Sequence, residues 1–271
     1  MGRGGGAAMS RAPLLLILLL AACAGHPARR HLVACADPNN LPFSNRGGEG
    51  FENRLAQMIA ADLHADLSYV WWAQRRGYVR NTLGEGRCDF WPGVASTVEM
   101  VATSRPYYRS SYMFVTRAKD GLSGLTLDDA RLKRLRIGVQ MVGNDAMNTP
   151  PAHALARRGI VGNVRGYMLY GDYTQPNPPA RIVQAVARGD VDVALVWGPL
   201  AGYFAKSSPV PLRLEKVTPW FDDAQWPMAY DISVGVRKDD APLLREIDGV
   251  LARRAADIRA LLDRFGVPRA D

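Results

Sequence analysis

Two runs of strand, helix, strand, helix, strand are the feature that most restricts how these 271 residues can fold. The first run opens with a short apolar segment, His31 to Ala36, which ends in the turn residues Asp37-Pro38-Asn39-Asn40. Phe51, Leu55, Met58, Ile59 and Leu63 then recur at helical spacing. Leu67–Trp72 reads as the next strand, Tyr78–Leu83 as a short helix stopped by Gly84 and Gly86, and Asp89–Val94 as a third strand. After a strand at Tyr112–Thr116 the rhythm restarts. Leu135–Val139, Val164–Leu169 and Val191–Val196 read as strands. Asp145–Arg158 is weakly helical, with Thr149-Pro150-Pro151 breaking it near its start, and Pro178-Pro179 opens a helix closed by Gly189. This alternation predicts α/β architecture with mainly parallel sheets flanked by helices. A strand at Asp231–Val236 follows, then one long helix whose apolar stripe runs from Leu243 to Phe265. Packing of that helix on the first unit predicts two lobes and two hinge crossings, near Thr116 and Ile232. Lobe 1 is discontinuous, 31–116 plus 232–271, and lobe 2 is 117–231.

The first residues read as an address. Arg3 and Arg11 precede an apolar core, Leu14–Leu20, which falls short of the ~20 residues that a permanent span needs. Residues 1–22 are thus expected to be a signal peptide. Leu20-Ala21-Ala22-Cys23 resembles a bacterial lipobox, which would make Cys23 a lipid-bearing N-terminus; ordinary cleavage among Ala22, Cys23 and Ala24 is the alternative. Losing Arg3 and Arg11 lowers the formal charge from +8 to +6. The remaining charge is dispersed, and that, with export, argues against nucleic acid. Four scattered histidines argue against a zinc site.

The layout resembles the type II periplasmic solute-binding proteins of family 3, which include amino-acid receptors. The likeness covers essentially residues 31–267 and is carried by the Asp37–Phe43 loop, Gly50-Phe51-Glu52, Gly86-Arg87-Cys88-Asp89 and Arg105-Pro106-Tyr107-Tyr108. A narrower resemblance is to the quinoprotein dehydrogenase-associated substrate-binding proteins of the XoxJ/MoxJ type. It rests on Cys35–Asn45, Gly50–Asn53, Gln74–Gly77, Arg105–Arg109, Asn148–His153, Tyr170–Tyr173, Pro178–Arg181 and Trp197–Leu200. The resemblance implies a periplasmic binding fold and a link to methanol oxidation beside a dehydrogenase dependent on pyrroloquinoline quinone (PQQ).

An amino-acid receptor must pair a buried carboxylate and a buried ammonium. In the family an Arg shortly after the third strand holds the carboxylate, yet Ala95–Met100 contains none. The family's Asp after the last strand of the second lobe is replaced by Trp197-Gly198-Pro199. An ordinary α-amino acid is therefore not the expected ligand. Ligands of parallel sheets bind beyond the strands' carboxyl ends. The candidate cleft residues there are Asp37, Asn40, Phe43, Arg75, Arg76, Tyr78, Trp91, Ser96, Asn144, Asp145 and Trp197. This aromatic, amide-rich set would suit a flat, partly anionic molecule or a partner's hydrophobic segment. Arg105 and Arg109 read as ion-pairing residues near a crossing. Glu52 is an acid in a helix's first turn, where the helix dipole stabilises it.

The expected function is that of a monomeric accessory partner of a PQQ-dependent methanol or alcohol dehydrogenase. The alternative is a solute receptor of an ABC importer, working with its permease on an unidentified small molecule. Catalysis, a resident cofactor and a metal are not expected, and the membrane is reached only through the lipid anchor. Cys35 and Cys88 lie on neighbouring strands. Their oxidising compartment invites a disulfide, whereas counting along extended strands places them ~10 Å apart, against the ~7 Å a bridge allows, so the pairing stays open.

Overall fold

The computed structural model describes residues 1–6, 29–142, 148–168, 173–222 and 226–270. The opening strand β1 (Arg30–Ala36) leads through two short strands, β2 (Asn39–Asn40) and β3 (Ser44–Asn45), into helix α1 (Phe51–Asp62). Then come β4 (Ala65–Trp71), β5 (Phe90–Ala95), β6 (Ala102–Thr103) and the long β7 (Tyr108–Arg117). The second unit holds β8 (Ile137–Met141), α2 (Pro150–Arg157), β9 (Val164–Met168), α3 (Arg181–Arg188), β10 (Val193–Trp197), α4 (Gly198–Lys206) and β11 (Leu212–Lys216). Strand β12 (Ala229–Val236) returns to the first unit, followed by α5 (Ala241–Arg253) and α6 (Ala255–Arg264).

Among the described residues the main sheet runs β4-β1-β5-β12-β7-β10-β8-β9, with β6 on β12 and β11 on β7. Each end of it is parallel: β1 with β4 and β5, and β8 with β9 and β10. An antiparallel seam joins the ends. Tyr108–Ser111 of β7 pair with Ala229–Ile232 of β12, and from Tyr112 onward β7 pairs with β10 instead. These are the two crossings of a two-lobed α/β binding fold. Arg109 and Asp231 form an ion pair across the seam at 2.9 Å, as their positions suggested; Arg105 uses its backbone N–H to bond Asp248.

The first core is centred on Phe51, fully buried and edge-on to Phe43, Tyr108 and Phe265. Ile247, Val250, Ile258 and Leu262 close this core from α5 and α6. At the start of α1 the chain presses on the opening loop: Phe51 and Glu52 donate backbone hydrogen bonds to the Pro42 and Phe43 carbonyls at 2.8 and 2.9 Å. A Cβ on Gly50 would overlap the Phe43 backbone, so only glycine permits this approach. The sheet of the second unit is covered on both faces by separate apolar clusters.

Several elements differ from the sequence expectation. Residues 78–83 form turns rather than a helix, followed by a single 3-10 turn at Leu83–Glu85. Pro150-Pro151 starts α2 instead of breaking it, with Thr149 as the residue before the first turn; proline suits that position because those N–H groups have no helical partner. The C-terminal stripe is split at Arg254 into two helices. Both arginines at the break, Arg253 and Arg254, bind Asp62 at the end of α1. Helix α4 and strand β11 were not anticipated.

The chief correction is the disulfide: Cys35 and Cys88 are bonded, with Cα atoms 5.5 Å apart. Strands β1 and β5 pair only at Ala34 and Phe90, so Cys88 precedes the extended part of β5. Distance counted along a straight strand therefore overstated the gap. The Asp89 backbone N–H donates to the Val33 carbonyl and its carboxylate accepts the Val33 N–H, and Cys88 turns in beside Tyr78, Leu83, Val94 and Val101. No free thiol is expected from these two residues in denatured, unreduced protein, and reductant should release two. A sequence separation of 53 predicts that a Cys35→Ser, Cys88→Ser double variant loses about 4 kcal/mol in urea unfolding.

Candidate functional site

The cleft is built around Asp37, which follows β1 and is fully buried. Its carboxylate accepts the N–H groups of Asn39 at 2.9 Å and Gln74 at 2.8 Å, and the Tyr173 hydroxyl at 2.8 Å. Burial pushes the Asp37 carboxyl up from its ordinary range, and the three donors oppose that shift. Ser44 bonds both the N–H and the carbonyl of Asp37. Asn39 donates to the Gln175 carbonyl, and Asn40 donates to Gln74 at 2.9 Å. Loops from the first unit and the 173–175 segment of the second are thus fastened to one another at this point.

Beside this knot lies a cavity of about 260 Å³. Asn40, Phe43, Glu52, Gln74, Trp91 and Gly93 line it from the first unit. Tyr108, Tyr112, Tyr230 and Ile232 line it from the β7–β12 seam, and Gln140, Trp197 and Leu200 from the second unit. Trp197 packs edge-on between Tyr112 at 5.2 Å and Tyr230 at 6.0 Å, and its backbone N–H donates to the Gln140 side-chain oxygen. Trp91 leans on Tyr78 at 4.9 Å. The Trp91 Nε1 is buried without an acceptor among the described residues.

Four candidate residues meet in this cavity: Asn40, Phe43, Trp91 and Trp197. Asp37 sits behind it and organises its loops. Tyr78 is buried behind Trp91. Ser96 bonds Ser233 and the Asp231 carbonyl, and so fixes the β5–β12 register rather than facing the cavity. Arg75 and Arg76 are exposed and outside the lining. Asn144 and Asp145 lie outside the described residues, as does Cys23.

Glu52 is the residue that sequence reasoning passed over. It is 3% exposed, and no hydrogen bond or ion pair with a described residue reaches its carboxyl. The first-turn position suggested stabilisation of the charge. Burial, reinforced by nearby Asp37, instead raises its pKa to about 8. A Cβ on Gly93 would occupy the place of the Glu52 carboxyl, so the glycine in β5 makes the room. In the sequence the signal for this room is the glycine at 93, behind Phe90-Trp91-Pro92. The lining contains no Arg, Lys or His among the described residues, in keeping with the missing amino-acid clamp.

No family model matches the chain. It is 34% identical over 260 residues to Protein MoxJ of Methylorubrum extorquens, covering 92% of this chain and 84% of the relative. It is 31% identical over 256 residues to Protein MoxJ of Paracoccus denitrificans, covering 88% of each. Among solved structures, the periplasmic binding protein XoxJ from Methylobacterium extorquens AM1 aligns with a TM-score of 0.71 and 36% identity, over 89% of this chain and 99% of that one. An ancestral cationic amino-acid solute-binding protein, at 19% identity and a TM-score of 0.67 over 87% of this chain and 95% of that one, shares the fold.

The buried acid gives a signed pH dependence. A carboxyl that titrates near 4.5 when unfolded and near 8 when folded costs no stability below pH 4.5, and an increasing amount as pH rises to 8. Glu52→Gln removes that cost. In urea unfolding the variant should match the parent near pH 4.5 and exceed it by roughly 1–3 kcal/mol at pH 8.

Proposed function

The chain belongs to the MoxJ/XoxJ family of periplasmic binding proteins, and on that premise we propose that it serves in the periplasm as an accessory partner of a PQQ-dependent methanol or alcohol dehydrogenase. The observation that carries this reading is family likeness along about nine-tenths of the chain. The cleft cavity takes a segment of the dehydrogenase, or a small ligand, between lobes 31–116 plus 232–271 and 117–231. The absence of an Arg from the described lining supports a ligand other than an amino acid. The protein acts by binding, not by catalysis. A leader ending near residue 22 and a lipid on Cys23 complete the proposal; they rest on the Leu20-Ala21-Ala22-Cys23 sequence. Dispersed positive charge would favour approach to an acidic dehydrogenase, an attraction that high salt weakens.

A second reading is a solute receptor of an ABC importer, favoured by a cavity of small-molecule size. Thermal unfolding separates the two, since a ligand at 100 times its Kd adds ~2.7 kcal/mol. The accessory reading predicts stabilisation by purified dehydrogenase. It also predicts that deleting the gene lowers the yield of active dehydrogenase in methanol-grown cells. Unchanged yield, together with a free-solute hit, would replace it with the receptor reading.

A further inference from the structure

We propose that the cleft cavity is a site for an organic cation, an ammonium or guanidinium on a short apolar body, which pairs with the Glu52 carboxylate inside a wall of aromatic rings. The inference rests on the cleft being the binding site of the proposed function, and it names the chemical group that site takes.

Three observations carry it. First, Glu52 is the one side chain of the Asp, Glu, Lys, Arg or His type among the described lining residues, and its carboxyl has no partner there. A buried, unpaired carboxyl is costly to keep, and an opposite charge is what removes that cost. Second, the rings of Phe43, Trp91, Tyr108, Tyr112, Trp197 and Tyr230 line the same cavity. Aromatic faces carry negative charge density and attract ammonium and guanidinium groups. Third, the described lining holds no Arg, Lys or His that would pair with an anion. Arg109 is committed to Asp231, and Arg46 and Arg87 lie over Trp71 and Trp72, none of them in the lining. Of the amides in the lining, Asn40 donates to Gln74 and Gln140 accepts from the Trp197 backbone N–H. A carboxylate entering the cavity would find no cation to pair with and would have Asp37 close behind, so the anionic ligand suggested by Arg75 and Arg76 is disfavoured.

The site is also linked to protons. The titratable groups whose charge reaches Glu52 are Asp37 from the opening loop and Tyr107 and Tyr108 at the entry to β7; β5 presents Trp91, Gly93 and Ala95, none of them titratable. At neutral pH the empty site holds Glu52 protonated. A cation entering the site favours the carboxylate, and the proton leaves to solvent. Affinity should therefore rise about tenfold from pH 6 to pH 7 and level off above pH 8, with about one proton released per cation at pH 7.

Purified protein titrated with n-butylammonium tests this, read by tryptophan fluorescence from Trp91 and Trp197 and by calorimetry in buffers of different ionisation enthalpy. Saturable binding is expected, with proton release, and with n-butanol and butyrate at least tenfold weaker. Glu52→Gln, a close match to the protonated acid, should fold and yet weaken butylammonium at least tenfold and abolish the proton release. Adding purified dehydrogenase then identifies the source. Displacement of butylammonium assigns the cation to a side chain of the dehydrogenase, and undisturbed amine binding assigns it to a free amine. Equal binding of butanol or butyrate, absence of saturable amine binding, or an unaffected Glu52→Gln variant would overturn the proposal. Dehydrogenase capture by both parent and variant, without amine binding, would overturn the cation alone and leave the accessory reading standing.

Discussion

The cleft depends on the satisfaction of one buried carboxylate without a cation. Asp37 sits at the end of β1, and its oxygens collect donors from the residues just after it, from the 72–74 loop and from Tyr173 in the second unit. Buried carboxylates without such donors are too costly to keep charged. This requirement therefore pins three separate stretches of chain to one point. The cavity is the space that those pinned loops, the β7–β12 seam and Trp197 leave between them.

The charge on Asp37 also sets the state of its neighbour. Two carboxyls close together in low dielectric do not both ionise readily, and the better-solvated or better-bonded one keeps the charge. Among the described residues Asp37 has three hydrogen-bond donors and Glu52 has none, so Glu52 keeps its proton. Glycine at position 93 and glycine at position 50 are the steric counterparts of this arrangement. One leaves space for the acid, and the other lets its helix press on the opening loop.

Much of this was readable in the residues. Alternating strand and helix patterns gave the α/β class and most strands within a few positions, because parallel strands are nearly continuous apolar runs. The turn at Asp37-Pro38-Asn39-Asn40 and the aromatics Trp91 and Trp197 pointed to the cleft for the same reason: ligands gather at strand ends. What sequence spacing could not supply was depth. Glu52 looks like an ordinary first-turn acid until α1 is packed beneath the cleft, and Tyr108, Tyr112 and Tyr230 become a wall only when the seam pairs. Likewise, Arg75 and Arg76 sit near the strand ends in sequence yet outside the lining in space. The Cys35–Cys88 bond was misjudged because a turn, not an extended strand, delivers Cys88.

On the proposed function, the dehydrogenase meets this protein in the cleft and not on an outer face. Hydrogen exchange of the backbone amides, with and without purified PQQ-dependent dehydrogenase, tests that most directly. Slowed exchange is predicted in 37–45, 72–78 and 197–203, the segments around Asp37 and Trp197. Slowed exchange confined to the outer surface of α5 and α6, with those segments unchanged, would contradict it.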